Sequence, residues 1–233
     1  MSSSDELLNV NQYFDEEVKN RSVRIGTYLG RLELRTHEDD DTIPLAEIFS
    51  NPISRKYLLF LQPPSGWGDD LQRKKDKQWT KEDFLDRVRV QTEARANGKS
   101  CVLNIILLSS SSGENEDRCI GTTGFVTIDG NIGYLGIITD PKTTRLGYAT
   151  EALYTATNFA FEELGINHII MQTDERNENM RGWCENLAGL EVYSTEIVQI
   201  NDICLTQYNY TFTLDQWINS IKNKLEIKMN QFK

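Results

Sequence analysis

The fold is decided by the stretch Tyr134-Leu-Gly-Ile-Ile-Thr-Asp-Pro-Lys-Thr-Thr-Arg-Leu-Gly-Tyr-Ala-Thr-Glu-Ala-Leu153. Its first part is rich in apolar and β-branched residues, which favour a strand. The strand must end at Asp140-Pro141, because proline disfavours helix in the residue before it and cannot donate a hydrogen bond to a sheet. A polar loop with Lys142 and Arg145 follows and leads through Gly147 into a helical pattern. We therefore predict a strand, a short basic loop and a helix in direct succession.

The helix and the segment after it complete a βαβ unit. Gly165 closes the helix, whose apolar residues recur on one stripe: Ala149, Leu153, Ala156, Ala160 and Leu164. The next apolar run, 168–173, predicts a strand parallel to the first and joined to it by a right-handed crossover. The helix then begins at the carboxyl end of the first strand, where free N–H groups and the helix dipole favour a phosphate or pyrophosphate. Gly147 would let such a ligand approach the backbone, although it could also serve only to open a turn.

Outward from this unit, the pattern predicts antiparallel strands and peripheral helices. The first strand of the unit is expected at 132–139, and the other strands at 31–36, 101–108, 119–128, 190–200 and 205–214. A hairpin is expected at Asp129-Gly130 and a turn near 201–202. The further helices are expected at 43–49, 80–97, 180–188 and within 215–233. Because antiparallel pairs surround one parallel crossover, we predict an α+β fold with a mixed, mostly antiparallel twisted sheet and helices on both faces.

The chain is also divided by composition. Residues 1–25 mix acidic and polar residues with few apolar ones and predict a loosely ordered N-terminal arm. Residues 26–214 form the predicted domain, and 215–233 a C-terminal helix packed on it. A total of 233 residues suits one domain with a substantial core.

Charge limits the possible partners. The 25 basic and 35 acidic residues give a formal net charge of −10, which argues against general binding to nucleic acid or to an anionic membrane. It slightly favours cationic substrates, although acidity can serve solubility alone. Four scattered cysteines, two histidines and no Cys-x-x-Cys argue against a metal site. No secretory signal or bilayer-spanning run is expected, so we predict a cytoplasmic protein with reduced thiols.

Three kinds of phosphate site can be compared with the residues around Gly147. A Walker P-loop requires Lys-Ser/Thr after its last glycine, whereas Tyr148-Ala149 follows here. A dinucleotide fingerprint requires three glycines, and only Gly147 is present at the turn, although Asp174 stands where a ribose-binding acid would be sought. The third kind is indicated by a resemblance. Strand, basic loop, Gly147-Tyr-Ala-Thr-Glu-Ala152, helix, strand, Asn-rich turn and short helix resemble the GNAT superfamily of N-acetyltransferases, most closely its RimJ/RimL-type subgroup.

The resemblance extends to Arg31-Leu-Glu-Leu-Arg35, which is similar to the first strand of that subgroup. There are departures as well. The pyrophosphate loop of the family begins with Gln or Arg three residues before the glycine, a position that Thr144 holds here, with Arg145 one place later. The common Asn-x-x-Ser turn is replaced by Asn177-Glu-Asn-Met-Arg.

The resemblance implies acetyl-CoA as cosubstrate. The central strand would splay from its parallel neighbour and bind the pantetheine arm through backbone groups of Ile137, Ile138 and Thr139. The pyrophosphate would lie on the N–H groups of Arg145, Leu146, Gly147, Tyr148, Ala149 and Thr150. Asn177 or Asn179 would contact the cosubstrate near its pantetheine segment.

The same chemistry requires a proton acceptor for the amine and a donor for the leaving thiolate. Many relatives place a glutamate near the position of Tyr134, so that carboxylate is missing here. Glu175 is the candidate base, Tyr193 and Cys184 are the candidates for the acid, and Tyr134 itself is included among the candidate catalytic residues. Glu175 could instead be solvated, and Tyr193 or Cys184 structural. Cys184 and Trp67 are candidate residues of the substrate pocket, with packing and a surface turn as the alternatives. His168 is interpreted as a packing residue.

The sequence thus predicts an acetyl-CoA-dependent N-acetyltransferase that acts on a protein N-terminus, a polyamine or another small amine. The alternative from a different class is a non-catalytic acyl-CoA-binding or interaction protein that kept the fold. A nicotinamide-binding oxidoreductase is a third possibility. The expected state is a monomer or homodimer with no nucleic acid, membrane or metal partner.

Overall fold

A computed structural model describes residues 21–58, 60–67, 76–200 and 203–232. Eight strands form one sheet: β1 (Arg24–Gly26), β2 (Leu32–Arg35), β3 (Cys101–Leu107), β4 (Arg118–Asp129), β5 (Ile132–Thr139), β6 (His168–Asp174), β7 (Ser194–Ile200) and β8 (Ile203–Thr213). Their order across the sheet is β1-β2-β3-β4-β5-β6-β8-β7. Every neighbouring pair is antiparallel except β5 and β6, which are parallel.

The helices follow in chain order. They are α1 (Thr42–Ser50), α2 (Lys81–Ala96), α3 (Ser109–Ser112), α4 (Tyr148–Glu163) and α5 (Glu178–Gly182), which continues as π-helical Trp183–Ala188. The C-terminal helix consists of α6 (Leu214–Gln216), a π-helical segment Trp217–Ile221 and α7 (Lys222–Met229). Helix α2 begins with a capping box, in which the side chains of Thr80 and Asp83 each accept a hydrogen bond from the backbone N–H of the other residue.

The predicted α+β class, with its single parallel crossover, is confirmed. The structure adds β1, which spans the predicted boundary between arm and domain and pairs with β2, and a helical turn α3 in the serine-rich loop. A strand of three residues is too short to show an alternation of apolar and polar side chains, so it can be recognised only from its pairing with a distant strand. The edge strand β7 begins at Ser194 rather than at residue 190. The arm up to residue 20, the basic run as far as residue 75 and the turn at 201–202 lie outside the described residues.

Two apolar cores cover the two faces of the sheet. The larger core joins α4, the 183–188 segment and the C-terminal helix to inward residues of the strands, among them Leu103, Phe125, Ile169 and Phe212. The smaller core joins α1 and α2 to the opposite face through Phe49, Trp79, Phe84, Ile106 and Ile138. Strands β3 and β5 therefore contribute apolar side chains to both cores, as expected for a sheet that is buried on two sides.

The parallel pair separates soon after it begins. Strands β5 and β6 pair only between Ile132–Tyr134 and His168–Ile170. Beyond that point β5 remains paired with β4 as far as Thr139, while β6 remains paired with β8 as far as Asp174. The inner edges of both strands are therefore unpaired over their carboxyl-terminal halves, and a V-shaped opening forms in the sheet.

Candidate active site

The V-shaped opening leads into a cavity of about 470 Å³. Its walls include 134–138 of β5 and 170–174 of β6, and it extends over the sheet to Arg87, Val90 and Gln91 of α2. The unpaired edge of β5 thus faces a space large enough for a ligand. Backbone groups on such an edge can bind an extended chain in the way that another strand would.

The loop at the end of β5 is shaped by its own side chains. Asp140 accepts a hydrogen bond from the N–H of Lys142, and the hydroxyls of Thr143 and Thr144 donate to the carbonyls of Asp140 and Pro141. Arg145 then adopts a left-handed conformation with a φ of 63°, and Gly147 another with a φ of 81°. These two reversals turn the chain into α4 within a few residues.

The turn into α4 leaves a run of backbone donors free. Among the hydrogen bonds of the described residues, none uses the N–H of any residue from Arg145 to Thr150, and the first helical bond there runs from Glu151 N to the Gly147 carbonyl at 3.1 Å. Arg145 and Lys142 are exposed beside this turn. Six unpaired N–H groups, the positive end of α4 and two cations form a site suited to a diphosphate.

A buried ion pair fixes this turn from below. Glu151 is 0% exposed and accepts hydrogen bonds from the hydroxyl of Thr27 and the N–H of Leu29. Its second oxygen pairs with the guanidinium of Arg31 at 2.8 Å. Nη1 of Arg31 in turn donates to the Leu146 carbonyl at 3.0 Å. The first turn of α4 and the β1–β2 connection therefore hold this loop jointly.

The last described residue also contacts the turn. A Cβ placed on Gly147 would lie 2.9 Å from the ring of Phe232. The guanidinium of Arg31 lies 4.7 Å from the ring centre of Tyr148 and 5.7 Å from that of Phe232. The C-terminal segment thus packs against Gly147, and only glycine fits that contact without displacement.

The predicted cosubstrate residues lie in two groups. Ile137 and Ile138 line the cavity, and Thr139 follows them at the end of β5. Asn177 also lines it, donating through Nδ2 to the Thr173 hydroxyl. Asn179 is exposed and lies outside the cavity wall. The residues of the turn, 145–150, form the second group described above.

The predicted catalytic residues are not brought together. Tyr134 lies in the cavity wall at the last paired position of β5, where the V opens. Glu175 follows β6, outside the cavity wall, with its N–H on the Thr206 carbonyl and its own carbonyl accepting from Arg181. Tyr193 is 75% exposed, just before the edge strand β7. Of the three, the structure places only Tyr134 in the cavity wall.

The two predicted pocket residues also lie elsewhere. Cys184 is fully buried in the larger core, where burial raises the pKa of its thiol to about 12. Trp67 packs edge-on against Trp79, with ring centres 6.3 Å apart, at the margin of the smaller core. The structural alternative therefore describes Cys184, while Trp67 is half-buried against Trp79 rather than lying on a solvent-facing turn.

Two charged residues line the cavity wall, of which sequence reasoning considered Asp174 only for a ribose site and missed Arg87. Asp174 forms a bidentate ion pair with Arg176, whose hydrogen bonds hold the pKa of the carboxyl below its usual value. Arg87 is half-buried on α2, and burial lowers the pKa of its guanidinium to about 10, so that it remains charged at neutral pH. Its sequence signal is its helical spacing from buried Phe84, which places Arg87 on the inward face of α2.

Two negative findings apply to the described part of the chain. No helix there is both long and apolar enough to cross a bilayer. Nor does any cluster of three His, Cys, Asp or Glu side chains in these residues have the arrangement of a metal site.

Comparison with known proteins was made at the levels of sequence and structure. The family profile described as the acetyltransferase (GNAT) domain matches residues 31–188. No curated protein sequence matches significantly. Among solved structures, a GNAT-family acetyltransferase from Bacillus anthracis is 20% identical with a TM-score of 0.62, covering 82% of this chain and 98% of its own.

Two further structures are similar. RimJ from Mycobacterium smegmatis, in complex with a CoA disulfide, is 14% identical with a TM-score of 0.63, covering 89% of this chain and 94% of its own. RimL, a ribosomal-protein α-N-acetyltransferase in complex with coenzyme A, is 13% identical with a TM-score of 0.62, covering 80% of this chain and 96% of its own. At these identities the likeness is one of fold.

Proposed function

The chain belongs to the GNAT acetyltransferase family, and we propose that it transfers an acetyl group from acetyl-CoA to a primary amine by direct attack in a ternary complex. The acceptor class comprises peptide N-termini, polyamines and other small amines. The observation that carries the proposal is the run of free N–H groups from Arg145 to Thr150 beside the splayed strand β5.

In this proposal the diphosphate of acetyl-CoA accepts hydrogen bonds from the first turn of α4. The pantetheine arm lies along the unpaired edge of β5, at Ile137, Ile138 and Thr139, and reaches Asn177 across the V. The thioester then lies near Tyr134, where β5 and β6 separate. Such positioning of both reactants makes the attack effectively unimolecular.

The chemistry is an acyl transfer. The amine nitrogen attacks the thioester carbon, the carbon–sulfur bond breaks, and the CoA thiolate accepts a proton. A free N–H of β5 polarises the thioester oxygen as negative charge develops on it. Asp174 is the only carboxylate in the described cavity wall, and its ion pair with Arg176 makes it a weak base. We therefore assign the removal of the amine proton to water and the donation to the thiolate to Tyr134.

Replacing Tyr134 by Phe is expected to lower kcat about 100-fold, the lower end of the usual contribution of a positioned acid or base. The KM for acetyl-CoA should change little, because the ring that lines the cavity is retained. Steady-state kinetics with a saturating amine measures both. Tyr193→Phe and Glu175→Gln are the matched controls, since neither side chain lines the cavity. A normal kcat in Tyr134→Phe with a large loss in Glu175→Gln would reverse this assignment.

Binding of acetyl-CoA can be tested without knowledge of the acceptor. At a concentration of about 100 Kd, acetyl-CoA should stabilise the folded chain by about 2.7 kcal/mol. For a chain of this size that is a rise in Tm of about 5–10 °C. S-acetylpantetheine, which lacks the diphosphate, should give a much smaller rise at the same concentration. An equal response to both compounds contradicts a diphosphate site at the turn.

A second candidate function is non-catalytic binding of acyl-CoA. It is favoured by one observation, the lack of an unpaired carboxylate or imidazole in the described wall of the cavity. The acetyltransferase function and the non-catalytic function can be distinguished with a thiol reagent. It measures the release of free CoA from acetyl-CoA in the presence of a panel of amines. Amine-dependent release that is lost when the phosphate turn is altered excludes the non-catalytic role.

A further inference from the structure

Arg87 lies in the cavity wall without a carboxylate partner among the described residues. Its Nε is fully buried and makes no hydrogen bond. The guanidinium carbon of Arg87 lies 5.0 Å from the centre of the Phe49 ring. A ring face attracts a cation but accepts no conventional hydrogen bond, so the buried donor remains unsatisfied. A buried polar group of this kind is costly unless something binds it.

The nearby carboxylates are engaged elsewhere. Asp83, one turn before Arg87, accepts hydrogen bonds from the N–H and the hydroxyl of Thr80. Asp86 pairs with Arg89 on the solvent side of α2 at 3.0 Å. Asp174, across the cavity, is held by Arg176. Arg87 is thus the uncompensated charge of the cavity wall in the described part of the chain.

We propose that the acceptor amine carries an oxyanion, either a carboxylate or a phosphate, that binds Arg87 in the cavity. This inference rests on the proposed function. The anion belongs to the acceptor because the phosphates of acetyl-CoA are assigned to the first turn of α4, on the face of the larger core, whereas Arg87 lies on the face of the smaller core. The acetyl end of the cosubstrate carries no charge. The planar fork of a guanidinium matches an oxyanion with two parallel hydrogen bonds.

The inference corrects the expectation drawn from net charge. A chain charge of −10 favours cationic substrates only through the long-range field, which salt screens over about 8 Å. Selection at the site depends on the groups that a bound acceptor contacts. The unpaired charge in the cavity wall is positive, so it attracts an anionic acceptor and repels a cationic one.

The test compares two matched pairs of amines. One pair consists of C-terminally amidated tripeptides with Glu or Gln at the second position, and the other of O-phosphoethanolamine and ethanolamine. In the native enzyme, kcat/KM should favour the anionic member of at least one pair by about 10- to 150-fold, the range expected for a hydrogen-bonded charge. The two pairs separate a carboxylate acceptor from a phosphate acceptor.

Variants link the preference to Arg87. In Arg87→Gln the ratio should fall to near unity, whereas Arg87→Lys should keep part of it. Arg95→Gln is the matched control, because Arg95 is also a half-buried arginine of α2 with an unsatisfied Nε but lies outside the cavity wall. Without ligands, the Tm of Arg87→Gln should equal or exceed that of the native chain, since an unpaired buried charge is removed.

Two results overturn the inference. The first is equal use of both members in both pairs by an enzyme that acetylates them, which leaves the proposed function intact. The second is an undiminished preference in Arg87→Gln. Failure of all four amines, together with no thermal response to acetyl-CoA, overturns the proposed function as well.

Discussion

Replacing Gly147 by alanine is expected to raise the Kd for acetyl-CoA about 5- to 30-fold. The φ of 81° at this position is in the left-handed region, where a side chain costs about 1–2 kcal/mol. The variant turn relaxes away from that conformation in the free protein, and binding must restore it, so the conformational cost appears as lost affinity. The added Cβ also displaces the ring of Phe232, which lies 2.9 Å from its position. Isothermal titration with acetyl-CoA measures the change.

Two further variants separate the causes. Gly113→Ala introduces the same left-handed strain, at a φ of 72° with no atom within 4 Å, in the connection between β3 and β4. It should lower Tm without changing the Kd for acetyl-CoA. Combining Gly147→Ala with Phe232→Ala removes the steric contact and leaves the strain, so only part of the affinity should return. A native Kd in Gly147→Ala itself would disprove the assignment of the turn to the diphosphate.

Replacing Glu151 by alanine is expected to give the largest loss of stability, about 3–5 kcal/mol, because it leaves the guanidinium of Arg31 buried without its partner. Glu151 is 0% exposed and also accepts from Thr27 and the N–H of Leu29, so several donors lose their acceptor at once. The free energy of unfolding from a urea titration measures the loss. The KM for acetyl-CoA should rise in the folded variant, because Arg31 also holds the Leu146 carbonyl of the phosphate turn.

The matched control is on the same helix. Glu163 also pairs with an arginine, Arg21, but at 3.5 Å and with both side chains more than two-fifths exposed. Glu163→Ala should therefore change the free energy of unfolding by no more than about 1 kcal/mol, as is usual for surface ion pairs. Equal losses in the two variants would contradict the account of Glu151 as the anchor of the turn. The double variant Arg31→Met/Glu151→Leu should recover only part of the stability, since no charge is then left unpaired but the N–H groups of Leu29 and Arg31 still lack the acceptor that Glu151 supplied.

Local signals carried much of the fold. The end of β5 at Asp140-Pro141, the glycine at the start of α4 and the apolar stripe of that helix are determined by neighbours in the chain. The capping box at Thr80 and Asp83 likewise requires only four consecutive residues. Because backbone sterics and capping act over one turn, these features could be predicted, and with them the βαβ unit and the turn that we assign to the diphosphate.

The rest was decided by contacts between distant segments. Strand β1 exists through its pairing with β2, and the V in the sheet depends on where β5 and β6 separate, which no short pattern encodes. In the sequence Glu151 is an ordinary acidic residue of a first helical turn, and only the fold places Arg31 and Thr27 in contact with it.

The candidate site shows the same division. The sequence by itself determined the order of the elements other than β1 and α3, and the position of the turn that we propose for the diphosphate, because hydrogen bonding and side-chain period are local properties of the chain. Only the tertiary structure decided that Glu175 and Tyr193 lie outside the cavity wall while Tyr134 and Arg87 line it. Burial, pairing and the charge of a cavity are sums over segments that meet only after folding, so the environment of a side chain cannot be read from its neighbours in sequence.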